Sequence, residues 1–147
     1  MKIFLTFFVL FFSSAVFANS ELNSKSIVCY RIFDTDKIRI SAFEFKSDSD
    51  LNYYWLVDSI ILNNDMIDQK FTFTTTYSTI NIINNLDNKI ILKINRKNLD
   101  VFQVRFDTDE LLYEGNNCNV YINQDVYNNM RITEKKLIKK LTDGNIL

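Results

Sequence analysis

Apolar residues fall on alternate positions over much of this chain, and a period of two commits a segment to a half-buried β-strand. Ile90, Leu92 and Ile94 face one way with Lys89, Lys93 and Asn95 opposite, and Phe102, Val104 and Phe106 alternate with Gln103 and Arg105. Cys118, Val120 and Ile122 alternate with Asn119 and Asn123, and Phe71 and Phe73 are set against Thr72 and Thr74, a β-branched residue comfortable on an exposed pleat. Residues 27–34 and 38–46 supply the early strands. In the second of these the phase slips: Ile38, Ile40 and Ala42 define one apolar face, Phe43 and Phe45 the other. Either a bulge or bend near Ala42 or Phe43 restores burial on one side, or the strand passes from one apolar contact to another.

Turns must be made with almost no help from the usual punctuation, since proline is absent and glycine occurs only at 115 and 144. Asn and Asp, which tolerate a left-handed backbone and bond their own main chain, take the role. Candidate turns lie at 34–36, 47–50, 63–65, 84–88, 96–98, 107–109 and 115–117, the spacing of an antiparallel meander. Residues 51–62 form a dense apolar run without a clean period, readable as a long strand or as a short helix after an Asp50 cap. The end of the chain changes to helical spacing over about residues 133–143: Thr133 can cap, Glu134 suits the first turn, and Leu137, Ile138 and Leu141 oppose Lys135, Lys136, Lys139 and Lys140. So short a helix is marginal alone in water and is expected to dock on the sheet. The fold class expected is all-β: a single antiparallel sheet of about seven to nine strands, a small barrel or sandwich, with a C-terminal amphipathic helix. An α+β fold with 51–62 helical is the runner-up.

Residues 1–18 read as a cleaved signal peptide: Lys2 is a minimal positive n-region, Ile3 to Phe12 is apolar but for Thr6, and Val16-Phe17-Ala18 places small residues at the −3 and −1 positions. The expected mature chain is one domain, residues 19–147, periplasmic or secreted, with no transmembrane segment left after cleavage. In that setting Cys29 and Cys118, the only cysteines, are expected to form a disulfide. No Asn opens an Asn-x-Ser/Thr acceptor, which favours a bacterial exported protein. Without Lys2 the chain carries 16 basic and 18 acidic residues, too near balance for a polyelectrolyte partner. The charge is uneven: residues 131–147 sum to +3 and residues 19–130 to −5. The basic tail either docks on the acidic body or faces a membrane or protein.

Histidine is absent, which removes Ser-His-Asp and Cys-His machinery, imidazole bases and the commonest transition-metal ligand together. Two isolated glycines make no phosphate-cradling loop. An enzyme and a bound cofactor are therefore not expected. Asp34 and Asp36, and Asp107 and Asp109, sit in near-identical Phe-Asp-Thr-Asp turns and are weak Ca²⁺ candidates, lacking the glycine and distal glutamate of an EF-hand. Tyr53-Tyr54-Trp55 holds the sole tryptophan and is the candidate partner surface; the nearest basic residues, Lys46 and Lys70, are too remote in sequence to make it a nucleic-acid platform.

The functional expectation is an exported, non-enzymatic binding or interaction domain. Protein recognition, including inhibition of an envelope or host enzyme, would use the aromatic surface or the acidic turns. Carriage of a hydrophobic small molecule would use the inside of a barrel, and a carboxylate-based hydrolase is the remotest reading. A hollow interior points to a ligand and a filled one to surface recognition.

Overall fold

The computed structural model describes residues 21–33, 37–115, 117–122 and 125–144. The proposed signal peptide, Asp34 and Asp36 lie outside the described residues. Among the described residues ten strands precede one α-helix: β1 (Lys25–Ile32), β2 (Ile38–Phe45), β3 (Asp50–Val57), β4 (Ile60–Asn63), β5 (Phe71–Thr75), β6 (Thr79–Asn84), β7 (Lys89–Asn95), β8 (Val101–Val104), β9 (Leu111–Gly115), β10 (Cys118–Ile122) and α1 (Val126–Gly144), with a 3-10 turn at Asn64–Ile67 after β4. The fold is thus a mostly antiparallel β-sheet with a C-terminal helix, as the alternation implied.

The strands run in the order β10-β1-β2-β3-β5-β6-β7-β8-β9, with β4 paired to β3 off this path. β9 and β10 are therefore the two edges of the sheet, yet only residues 116 and 117 separate them in the chain. So short a connection forces the edges together at that corner, and the sheet curls on itself. Cys29 and Cys118 are directly opposite in the β1–β10 register and are joined as a disulfide, at a sequence separation of 89. The Tyr30 amide donates to the Asn117 carbonyl at 2.9 Å beside it.

Curling divides the apolar residues into two cores. Inside the curl lie Ile27, Phe43, Phe45, Leu51, Phe71, Phe73, Ile80, Ile82 and Ile94. Outside, Val28, Ile40, Ala42, Tyr54, Leu56 and Ile61 of β1 to β4 are covered by Val126, Met130 and Leu137 of α1. This explains the phase slip in β2: the strand is buried on both faces, Ile40 and Ala42 under the helix and Phe43 and Phe45 within the curl. Its pairing with β1 and β3 is in continuous register, so no bulge is needed.

Four local readings are corrected. Residues 51–62 are a hairpin, β3 and β4, turned by Asp58 and Ser59 at φ 47° and 63°. Two consecutive positive φ angles make the two-residue turn whose twist matches that of the strands. The helix starts at Val126 and not near Thr133, because the Asp125 carboxylate accepts from the amides of Tyr127 (2.9 Å) and Asn128 (3.4 Å). Thr133 sits within the helix, its hydroxyl donating to the Asn129 carbonyl at 2.8 Å.

In β8 the faces are the reverse of those expected. The turn after β7, closed by the Asn95 amide on the Asp100 carbonyl, pairs Val101 with Ile94 and Gln103 with Leu92. Cross-strand partners share a face, so Val101 and Gln103 turn inward while Phe102 and Val104 turn out. Phe106 lies beyond the strand in a turn, 70% exposed, with the Lys89 ammonium 3.7 Å from its ring centroid. In β7 a register shift opposite Ile82 and Ile83 brings Ile91 as well as Leu92 against the inner core.

Candidate functional site

The inward positions of the strands change character along the curl. In β1 they run Ile27, Cys29, Arg31; in β2, in the opposite sense, Phe45, Phe43, Ser41, Arg39. The end holding Phe45, Leu51, Phe73, Ile80 and Ile94 is packed, with Phe45 and Phe73 edge to face at 4.8 Å. At the other end the inward side chains of β1 and β2 are small or polar, and the walls do not meet. A cavity of about 520 Å³ remains there. Its mouth is marked by Arg39 and Gln103, both exposed.

One wall of the cavity is aromatic. Tyr53 stacks on Phe43 at 5.1 Å, stands 5.4 Å from Trp55 and meets Phe71 edge-on at 5.9 Å. The other wall is aliphatic, from Ile91, Leu92 and Val101. The aromatic wall follows from period-two geometry, which sends every second residue of a strand to the same side, and the aliphatic wall from the register shift that brings both Ile91 and Leu92 inward.

The position of Tyr53 depends on Asn64, a residue that replaces a strand. β4 takes up the edge of β3 from Val57 to Tyr54, whereas β5 pairs only with Asp50 and Leu51. The Tyr53 amide falls in the gap, and the Asn64 side-chain oxygen accepts its hydrogen bond at 2.8 Å. The Asn64 amide group donates to the Gln69 carbonyl at 2.9 Å. Asn64 is buried because it completes the sheet at the point where one partner strand gives way to the next.

Among the described residues, charge at the mouth is concentrated in three side chains. Glu114 of β9 accepts from Arg31 at 3.0 Å and lies 3.7 Å from Arg39, so two guanidiniums share one carboxylate across the seam of the sheet. Both also lie over the Phe33 ring, at 4.9 and 5.7 Å. The Tyr53 phenol is held above its ordinary pKa, chiefly by burial; the Arg39 cation opposes this and the Glu114 anion adds to it. It therefore remains a hydrogen-bond donor at neutral pH.

The three consecutive aromatics are divided between two sites. Tyr53 and Trp55 line the cavity, half-buried, whereas Tyr54 points the other way and is buried under α1. Its hydroxyl donates to Glu44 at 2.6 Å and its ring meets Tyr127 edge-on at 5.3 Å. Asp107 is drawn to Arg105 at 3.3 Å, and Asp109 holds a left-handed turn position at φ 55°. Among the described residues no three carboxylate, histidine or cysteine side chains are grouped to hold a metal ion.

The basic residues of α1, Lys135, Lys136, Lys139 and Lys140, are exposed on the side away from the sheet. Among the described residues no helix is long and apolar enough to cross a membrane. Arg39, Gln69, Gln103 and Glu114 were not singled out from sequence. The available signal was the run Arg39, Ser41, Phe43, Phe45, a single inward face that becomes polar toward one end. No protein-family model, curated protein or solved structure matches the chain.

Proposed function

We propose that this chain is a non-enzymatic binding protein, acting outside the cytosol, that holds a small apolar molecule in the hollow end of its curled sheet. The observation that carries this reading is the cavity of about 520 Å³. That volume lies in the range of small-molecule sites, which are mostly apolar with a few placed polar groups. An aromatic wall faces an aliphatic one, and the polar side chains gather at the mouth. The packed end and the Cys29–Cys118 bond support a rigid container, and a disulfide suits an exported protein.

Trp55, the sole tryptophan, stands on the cavity wall and reports occupancy directly. Titration with an apolar fluorophore or a single-chain lipid is expected to change Trp55 emission saturably. Ser41→Leu, which fills the cavity from β2, is expected to abolish that change while the protein stays folded. Unchanged emission in the parent protein at every ligand concentration overturns the proposal.

A second reading, protein recognition, is favoured by the outward face of β8 and β9. Phe102 and Tyr113 pair there at 5.5 Å, and Leu111 and Tyr113 are exposed.

A further inference from the structure

Resting on the reading of the cavity as a ligand site, we infer that its ligand is an apolar molecule bearing a single anionic head group, held at the mouth by Arg39. Three observations converge on this.

First, the described side chains at the mouth carry unbalanced charge. Among the described residues, Arg31 and Arg39 have one carboxylate partner between them, Glu114. Arg39 and Glu114 are the charged side chains that line the cavity itself. With Arg31 already on Glu114, the described side chains of the cluster, two guanidiniums and one carboxylate, sum to one positive charge.

Second, the surplus is located on Arg39. Its nitrogen is 3.7 Å from Glu114 against 3.0 Å for Arg31, and its side chain is 62% exposed against 42%. A guanidinium offers a planar fork of donors suited to two oxygens of one acid group, and a long contact to Glu114 leaves most of that fork unused.

Third, the apolar surface begins where the charge ends. Along the inward face of β2, Arg39 is followed by Ser41, Phe43 and Phe45, and Ser41 stands opposite Trp55 in register. A head group on Arg39 thus directs an apolar body along the aromatic wall toward the packed end. The same geometry disfavours a cationic amphiphile, whose head would meet the guanidiniums.

The test compares dodecanoate, dodecyl phosphate, methyl dodecanoate and dodecanol, each below its micellar concentration, by Trp55 emission. The parent protein is expected to bind at least one of the two acids about tenfold more tightly than the ester, the lower end of what a hydrogen bond to a charged group contributes. Arg39→Gln is expected to bring the acids to parity with the ester. Glu114→Gln, which releases both guanidiniums, is expected to widen the preference. Whichever acid is preferred in the parent identifies the head group as carboxylate or phosphate, and either supports the inference. Equal binding of acids and neutral analogues by the parent protein overturns the anchor while the cavity reading stands, as does an acid preference that survives Arg39→Gln. If no probe alters Trp55 emission, both fall together.

Discussion

Replacing Asn64 with alanine removes a side chain that stands in for a missing stretch of strand. Two backbone groups would lose their partners, the Tyr53 amide at 2.8 Å and the Gln69 carbonyl at 2.9 Å. A buried polar group left unsatisfied costs roughly 1 to 3 kcal/mol, so two such groups imply a loss of about 3 kcal/mol, moderated if water enters from the cavity. For a domain of this size each kcal/mol moves the thermal midpoint by several degrees, and a fall of about 10 °C is expected. Urea unfolding followed by Trp55 emission gives the same quantity independently, with an unchanged slope if the unfolded state is unaffected. Both orphaned groups belong to residues that line the cavity, so the emission of the folded variant should also shift. Asn63→Ala is the control. Asn63 caps the short 3-10 turn by accepting from the Met66 amide at 3.1 Å, and its loss is expected to cost about 1 kcal/mol. A loss at Asn64 no larger than that at Asn63 would refute the view that this side chain completes the sheet.

Three further outcomes are expected. Cys29→Ala with Cys118→Ala opens an 89-position crosslink, and loop-closure entropy puts the loss at about 4 to 5 kcal/mol, measured by denaturant unfolding; since β10 has β1 as its sheet neighbour, its amides should show the largest gain in hydrogen exchange. Tyr54 has a raised pKa, from burial first and then from its bond to Glu44; the folded phenol keeps its proton where the unfolded one loses it near pH 10.0, so this stability is present below that pH and declines above it. Urea midpoints between pH 9 and about 11 should fall in the parent and fall less in Tyr54→Phe. Glu134 has a lowered pKa: burial opposes ionisation, but the Ser59 hydroxyl at 2.7 Å and Arg131 at 2.9 Å outweigh it. Its contribution is present above its ordinary value of 4.5 and is lost as pH falls below that; the Glu134→Gln midpoint should therefore depend less on pH in acid than the parent's.

Legibility in the sequence followed the number of faces a segment buries. β5 and β10 could be read because alternation is a one-dimensional signal, and the second half of α1 because Leu137 opposes four lysines. The β3–β4 hairpin was ambiguous because its turn is made by Asp58 and Ser59, neither of them glycine, inside a run that is apolar on both sides. β8 was read with its faces exchanged, since the composition of four residues cannot reveal which of two apolar-looking faces the preceding turn will aim inward. The early turns of α1 were missed because Tyr127, Asn128 and Asn129 dilute the helical pattern, and the Asp125 cap acts only once the chain has left the sheet.

Residue order by itself determined that this chain forms antiparallel strands followed by an amphipathic helix, because side-chain periodicity is a property of the local backbone. The same order supplied the two cysteines whose bond the structure contains. Which rings would share a wall was decided only by the assembled sheet: Tyr53 and Trp55 were separated from Tyr54, and Arg39 was brought beside Glu114 from 75 positions away. The hollow end has the same origin, for a cavity is the space left between walls contributed by distant strands, and no single segment encodes the distance to its opposite.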